Sequence, residues 1–303
     1  MNMQAQAAVD SKTKPPRDSS GFAISEWHDT DEVMARLQAL ISQPIRPIRP
    51  ENMEKVLRYF DEKCQGSKRL SEQAKEVIPG GVQHNLAFNY PHPLAITEAN
   101  GAHMSDVDGN RYIDFLQAGG PTILGSNYES VRKQVHELLD TCGPTTGLMH
   151  EYEVKLAELL VKHFPAVDMF RMLGSGTEGV MAAIRVARAH TGKKWIIKMG
   201  GGYHGWSDQM VYGLRVPGTA RRDAVGIPRD CVSHTQESFP HDISALRRRL
   251  QLNKLRGGTA AVIVEPVGPE SGTRPVYKTF NQEVRQLCDE FDTLLIFDEV
   301  VTG

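Results

Sequence analysis

Helical and strand-like patterns follow one another in the first half of the chain. Apolar residues recur at three- and four-residue spacing in "MEKVLRYFDEK" and "RLSEQAKEVI", which predicts two helices. The stretch "PLAITEANGAHMSDVDGNRYIDFL" holds three short, partly alternating runs, separated by turn signals at Asn100-Gly101 and Asp108-Gly109-Asn110. Asn and Gly tolerate the positive φ that tight turns require, so this stretch predicts an antiparallel β-meander.

From residue 151 onward, short strands alternate with helices. This alternation predicts an α/β domain, a mostly parallel sheet flanked by helices on both faces. Ligands of such sheets bind at the carboxyl ends of the strands, so the residues after each strand are the candidates for chemistry. The predicted strands are "MFRML", "WIIKM", "CVSHT", "AAVIV" and "TLLIF". The predicted helices are "YEVKLAELLVKHF", "EGVMAAIRVARAH", "ISALRRRLQL", capped by Asp242, and "NQEVRQLCDEF".

The patterns divide the chain into four segments. Residues 1–22 are polar with paired prolines, a composition that predicts a disordered tail. A helical extension is expected over residues 23–67, and an N-terminal segment with the meander over residues 68–150. The α/β domain is expected over residues 151–303.

Composition narrows the class of protein. The 303 residues are 40% hydrophobic and 24% charged with a net charge of -2, a normal globular mixture. Basic residues are spread along the chain, and the run Arg247–Arg249 fits a solvated helix face, so no nucleic-acid partner is expected. The four cysteines lie far apart, which argues against a metal site or a disulfide framework. With no long apolar stretch and no secretory signal, we expect a cytoplasmic protein without a membrane partner.

The turn "GSGTEG" after the first strand of the α/β domain allows more than one interpretation. Its G-x-G-x-x-G form suggests a dinucleotide site, which also requires an acidic residue about 20 positions later. The next strand ends in "IIKMGGGYHG" without an acid, so that interpretation fails. Ser175, Gly176 and Thr177 could instead hold a phosphate monoester at a helix N-terminus. An ordinary capped turn remains an equal alternative.

Other strand ends carry an aromatic residue and carboxylates. Tyr203 and His204 follow "WIIKM", and Tyr203 could lie on a flat ligand ring or simply pack on the sheet. Glu265 and Asp298 end the last two strands, where a buried carboxylate needs a cation or hydrogen-bond donors. A protonated ring nitrogen suits such a site better than a metal, since no His or Cys is close in sequence. Phosphate, flat ring and ring nitrogen together indicate pyridoxal phosphate.

A set of motifs from about residue 68 to the last residue carries a family resemblance. They are "AKEVIPGGV", "DVDGNRYIDF", "GPTILG", "SGTEGVMAAIRVARAHTG", "GGYHG", "AAVIVEPV" and "LLIFDEVVTG". In this order and spacing the chain is similar to the class III, fold-type I aminotransferases that depend on pyridoxal phosphate. It most resembles their glutamate-1-semialdehyde 2,1-aminomutase branch. The resemblance implies a small-molecule amino donor and acceptor, and a homodimer when the chain is complete.

The resemblance also implies roles for individual residues. Tyr203 would stack on the pyridine ring with His204 behind it, and Val300 would pack on the opposite face. Asp298 would pair with the ring nitrogen, and Glu265 would support the site near the ring hydroxyl and Asp298. The phosphate would be held by Ser175, Gly176 and Thr177.

The family places the lysine that bonds covalently to the cofactor downstream of the motif that ends in "DEVVTG". We therefore expect this chain to be an N-terminal fragment without that lysine and without the C-terminal small domain, and to be inactive as an aminotransferase by itself. Lys193, Lys194 and Lys198 lie in or beside an earlier strand and are no substitute. A non-catalytic remnant that acts through protein interactions is the alternative.

Three departures from the family pattern lie on the substrate side and beside the phosphate motif. Gly174 replaces a common Asn, "QHNLAFNY" lacks the arginine that meets a substrate carboxylate, and "QAGGP" lacks a common aromatic. Amino-group transfer is therefore a safer expectation than a reaction on glutamate semialdehyde.

Overall fold

The structure is a computed structural model that describes residues 27–143, 147–214 and 217–303. The predicted disordered tail, residues 1–22, lies outside the described residues. The chain forms two compact units, one comprising the residues up to Gln43 together with Leu173–Gly303, and the other Pro44–Met172. Within the described residues, no helix is both long and apolar enough to cross a membrane.

The unit Pro44–Met172 combines helices with a small antiparallel sheet of order β1-β2-β3. This sheet confirms the predicted meander, because its strands pair antiparallel on either side of the two turns. Its strands are β1 (Ile96–Asn100), β2 (His103–Asp106) and β3 (Arg111–Ile113). The helices, counted from α1 (Thr30–Ile41) in the other unit, are α2 (Pro50–Lys63), α3 (Gln65–Val77), α4 (Glu129–Cys142) and α5 (Glu151–His163).

The second turn of the meander also fixes helix α3. The Asp108 carboxylate accepts hydrogen bonds from the backbone N–H groups of Gly66, at 2.6 Å, and Ser67, at 3.0 Å. These bonds to the helix N-terminus hold the pKa of Asp108 below its usual value. A carboxylate from the turn thus satisfies amides that the first turn of a helix leaves unpaired.

The other unit is built on a parallel sheet of order β5-β4-β6-β7. All three strand pairs are parallel, which confirms the predicted sheet type. The strands are β4 (Trp195–Met199), β5 (Thr235–Ser238), β6 (Thr259–Val264) and β7 (Leu294–Phe297).

Helices cover both faces of this sheet, as predicted. Helices α7 (Ile243–Lys254) and α9 (Phe280–Glu290) pack on one face, and α6 (Gly176–Thr191) packs on the other. Side chains of β4 alternate between the two, so Ile197 joins the first core and Ile196 the second. The cap of α7 is also confirmed, since the Asp242 carboxylate accepts a 2.7 Å bond from the N–H of Ala245.

One predicted strand is absent, and another lies further along the chain than predicted. Met169–Leu173 forms no strand, because none of the described strands pairs with it, and the Met169 side chain is 91% exposed. The predicted strand at Cys231–Thr235 begins only at Thr235. The residues before it form a single 3-10 turn, Arg229–Val232, after Pro228. Local hydrogen bonds of that turn replace the sheet pairing that the apolar pattern suggested.

Candidate cofactor site

The site begins at the N-terminus of helix α6. Ser175 is its N-cap, with extended backbone and with Oγ accepting a 3.2 Å bond from the N–H of Glu178. The ordinary capping interpretation is therefore correct for Ser175, yet it leaves other amides of the first turn without helical partners. Those amides and the helix dipole form a place where an anion is stabilised. Gly176 and Thr177 occupy this first turn.

Close backbone approaches bring two other segments onto this turn. A side chain at Gly205 would place its Cβ 2.7 Å from Thr177 Cα, and Gly205 has a φ of +83°. A Cβ at Gly176 would lie 3.0 Å from a methyl carbon of Val300. At Gly205 the close backbone contact and the positive φ together require glycine. The loop after β4 and the end of β7 therefore converge on the start of α6.

The loop after β4 presents one exposed and one buried ring. Tyr203 is 55% exposed, whereas His204 is 1% exposed. The N–H of Tyr203 donates a 3.0 Å bond to Oε1 of Glu265, which follows β6. Glu265 also accepts bonds from the N–H groups of Glu270, at 3.1 Å, and Ser271, at 2.7 Å. One carboxylate thereby ties together two loops at the carboxyl end of the sheet.

Both the backbone and the side chain of Asp298 make hydrogen bonds that fix its position. Its N–H donates to Val264 O at 2.8 Å, which continues the β6–β7 pairing beyond the end of the strand. Nδ1 of His204 lies 2.8 Å from Asp298 Oδ2, and the Asp298 side chain is only 7% exposed. With its proton on Nδ1, His204 donates to the carboxylate and orients it. Among the described residues, Nε2 of His204 has no hydrogen-bond partner.

These residues surround one cavity of about 630 Å³, a size typical of small-molecule sites. Seven of the eight residues singled out from the sequence line it: Ser175, Gly176, Thr177, Tyr203, Glu265, Asp298 and Val300. The eighth, His204, was expected behind Tyr203; it lies behind Asp298 as its hydrogen-bond partner. Sequence reasoning missed several lining residues, chiefly Gly205, Glu270, Ser271 and Thr273, which belong to turns after β4 and β6. The glycines of "GGYHG" and "PESGT" were the available signal.

The cavity is chemically suited to a flat, phosphorylated, cationic ring. Hydroxyls and amides at the start of α6 suit a phosphate, and the Tyr203 ring offers an apolar face. The buried Asp298 carboxylate suits a protonated ring nitrogen. Among the described residues, no cluster of His, Cys, Asp and Glu could hold a metal ion, and no Lys or Arg lines this cavity.

Beside the phosphate motif, the structure accounts for Gly174. A Cβ at this position would lie 2.6 Å from Oε2 of Glu178, so the carboxylate of Glu178 fills the space that a side chain at 174 would take. An Asn at position 174, with its side-chain hydrogen-bond donor, would therefore fit only if the Glu178 side chain moved.

Known proteins resemble this chain in sequence and in fold. Residues 86–303 match the family model described as "Aminotransferase class-III". Glutamate-1-semialdehyde 2,1-aminomutase 1 of Lachnoclostridium phytofermentans is 41% identical over 242 residues, which are 78% of this chain and 56% of that protein. An omega-transaminase structure from Sphaerobacter thermophilus has a TM-score of 0.73 at 30% identity, covering 80% of this chain and 57% of that one.

A second solved structure, described as a transaminase with PLP bound, has a TM-score of 0.72 at 29% identity, covering 78% of this chain and 55% of that one. The chain thus spans somewhat more than half the length of the relatives that it matches. The match over most of its residues shows that this chain belongs to the class III aminotransferase family.

Proposed function

We propose that this chain provides the cofactor-binding part of an enzyme that transfers amino groups between small molecules. The cofactor indicated by the family and by its solved neighbours is pyridoxal phosphate. The single observation that carries the proposal is the convergence of an anion-binding helix start, an exposed aromatic ring and the His204–Asp298 pair on one cavity.

The start of α6 holds the phosphate in this proposal. The hydroxyls of Ser175 and Thr177 and the free amides of the first turn donate hydrogen bonds to phosphate oxygens. Gly176 allows this contact because it leaves the space beside Val300 open. Tyr203 covers one face of the ring, and Val300 covers the other.

Asp298 pairs with the ring nitrogen and keeps a proton on it. His204 orients the Asp298 carboxylate through the 2.8 Å bond to Oδ2, and burial of the pair excludes water from it. When bound, pyridoxal phosphate supplies an electron sink for the bonds at the substrate's α-carbon. Glu265 positions Tyr203 by accepting its N–H, so its role is to fix the loop.

None of the three lysines near the sheet forms the covalent bond to the cofactor in this proposal. Lys198 is fully buried and donates to backbone carbonyls, and Lys193 pairs with Asp292 at 2.8 Å. Neither of them nor Lys194 lines the cavity. Borohydride reduction of the protein with pyridoxal phosphate, followed by peptide mapping, should find none of the three modified stoichiometrically. One fully modified lysine among them would contradict this part of the proposal.

The proposal leaves the substrate at the level of amino donors and acceptors. A relative carries the name glutamate-1-semialdehyde 2,1-aminomutase, but "QHNLAFNY" has no arginine and no Arg lines the described cavity. Both features support amino-group transfer in general over recognition of that one dicarboxylate-derived substrate.

We also propose that the whole protein is a homodimer. Helix α4 and the loop before it expose a group of apolar side chains, including Ile123 at 80%, Leu124 at 59% and Val131 at 52%. Such a group supports burial against a second copy of the chain. Sedimentation velocity should show a dimer, and a monomer at micromolar concentration would contradict it.

The test of the cofactor site is binding of pyridoxal phosphate by equilibrium dialysis. Saturable binding with one site per chain, in competition with pyridoxamine phosphate, is the expected result. Transfer of an amino group, measured with a panel of amino donors and 2-oxo acid acceptors, should be absent for residues 1–303 alone, because no lysine among the described residues lines the cavity. A wild-type protein that binds no pyridoxal phosphate would overturn the proposal.

A further inference from the structure

Lys198 is a charged residue in the middle of the sheet. It lies on β4, an interior strand, and is 0% exposed. Ile196, two residues earlier on the same strand, packs in the core beneath α6. Residues i and i+2 of a strand face the same side of the sheet, so position 198 is one where an apolar residue would be expected. A buried ammonium has a high cost in desolvation, so a specific set of acceptors must offset it.

Those acceptors are all backbone oxygens of one loop. Nζ of Lys198 donates to the carbonyls of Gly202 at 2.7 Å, Tyr212 at 2.8 Å and Met210 at 3.3 Å. An ammonium has three N–H donors, and three carbonyls receive them. The loop between Gly200 and Gly213 contains no helix or strand, but it has backbone bonds of its own, such as the 2.7 Å bond from the N–H of Gly201 to Gly213 O. The three bonds from Lys198 add to these and hold the loop to β4.

Two carboxylates near Lys198 accept hydrogen bonds from backbone N–H groups of the residues that follow the loop. Glu237, the neighbour of Lys198 on β5, is 3% exposed and accepts bonds from the N–H groups of Gly218 and Ala220. Asp223 accepts the N–H of Leu214 at 2.8 Å. Burial lowers the pKa of Lys198 to about 8, while the charges of Glu237, Asp223 and Glu265 act in the opposite direction.

The bonded carbonyls lie directly beside the residues of the cofactor cavity. Gly202 precedes Tyr203, whose ring lines the cavity, and His204, whose Nδ1 holds Asp298. Lys198 itself does not line the cavity. Its effect on the site can therefore pass only through the loop.

We propose that Lys198 is a positioning residue: its three bonds to carbonyl oxygens fix the loop over residues 200–213, which presents Tyr203 to the cofactor and His204 to Asp298. The effect of Lys198 on cofactor binding rests on the proposed function. The claim that Lys198 fixes the loop does not depend on that function. A buried polar group of this kind sets one conformation, whereas an apolar residue would serve stability equally well.

The test compares Lys198→Met with Lys198→Arg and with Lys194→Met, a matched change at an exposed lysine just before β4. Hydrogen–deuterium exchange without cofactor is the first measurement. In Lys198→Met, the peptide over residues 200–213 should exchange at least tenfold faster, while peptides of α7 and β6 keep wild-type rates. Lys194→Met should match wild type, and Lys198→Arg, which keeps donors and charge, should restore part of the protection.

Dialysis against pyridoxal phosphate is the second measurement, with at least a tenfold weaker affinity expected for Lys198→Met. Wild-type exchange in this loop together with affinity within twofold of wild type would overturn the inference. A wild-type protein that binds no pyridoxal phosphate, but whose loop loosens in Lys198→Met, would overturn the proposed function and leave the inference standing.

If Lys198→Met does not fold, hydrogen exchange of the wild-type protein is used to test whether the loop is fixed. Its loop amides should then exchange as slowly as those of β4. Exchange at the rate of an open chain would show that nothing fixes this loop.

Discussion

Nδ1 of His204 and Oδ2 of Asp298 lie 2.8 Å apart, and this bond joins the loop after β4 to the end of β7. Both side chains are almost fully buried. The loop and the strand end are 94 residues apart in sequence, so only the packing of the sheet brings them together. The Asp298 carboxylate also accepts a 3.3 Å bond from the N–H of Val300. A carboxylate has about four lone-pair positions, so two remain for a ligand.

Removal of the Asp298 charge should weaken cofactor binding. Asp298→Asn keeps the size of the side chain but replaces a charge-assisted bond to a cationic ring nitrogen with a neutral one. Because such bonds contribute about 1.5–3 kcal/mol, affinity for pyridoxal phosphate should fall at least tenfold in a dialysis titration. The matched control is Asp140→Asn on the exposed face of α4, which should bind like wild type. Equal affinity in both variants would remove Asp298 from the site.

Loss of the Thr177 hydroxyl should weaken phosphate binding. Thr177→Val keeps the shape of the side chain but removes Oγ1, which also accepts a 3.3 Å bond from the N–H of Trp206. Loss of a charge-assisted hydrogen bond of about 1.5–3 kcal/mol should raise the Kd for pyridoxal phosphate by one to two orders of magnitude. Thr191→Val at the other end of α6 is the control, and inorganic phosphate should compete less well only with the 177 variant. An unchanged Kd would contradict the assignment.

The close approach at Gly205 should make this position intolerant of a side chain. Gly205→Ala adds a Cβ that meets Thr177 Cα at 2.7 Å, in addition to the strain of a φ of +83°. Gly192→Ala is the matched control, since Gly192 has a φ of +68° but open space around it. Urea denaturation should show a loss of about 1–2 kcal/mol for the control, from φ alone, and a larger loss for Gly205→Ala. Equal losses would mean that the contact with Thr177 can relax freely.

The buried Lys198 should leave a signature in the pH dependence of stability. Its pKa falls from 10.5 in the unfolded chain to about 8 in the folded one. Between these values the unfolded state binds more protons, so the free energy of unfolding rises with pH from about 8 to 10.5.

The measurement of that signature is the difference in unfolding free energy between wild type and Lys198→Met. Over this window the wild type should gain on the order of 3 kcal/mol relative to the variant. The variant serves as the reference because Tyr and Cys residues that titrate in the same range are present in both proteins. A difference that stays flat with pH would show that burial does not lower the pKa of Lys198.

Much of the fold could be predicted because the patterns are local. The short apolar runs "WIIKM" and "TLLIF", set between helical patterns, predicted β4 and β7, and the turn residues around Asp108 predicted the meander. Met169–Leu173 and the segment at Cys231 failed because strand formation depends on a partner or on local bonds that no apolar pattern contains.

The sequence by itself indicated seven of the residues that line the cavity, but it missed others, such as Gly205, Glu270, Ser271 and Thr273. The seven could be found because the carboxyl ends of parallel strands meet at one edge of the sheet and because the motifs resemble those of a known family. It also indicated the chemistry of those residues, through a helix N-terminus suited to an anion, an aromatic residue and two carboxylates. Only the tertiary structure decided that His204 holds Asp298, that Glu265 binds loop amides, and that Lys198 binds three carbonyls. Each of these contacts joins residues through a specific direction of a side chain in a packed core. Sequence spacing does not encode that direction, because hydrogen bonds form only over a few ångströms and at restricted angles.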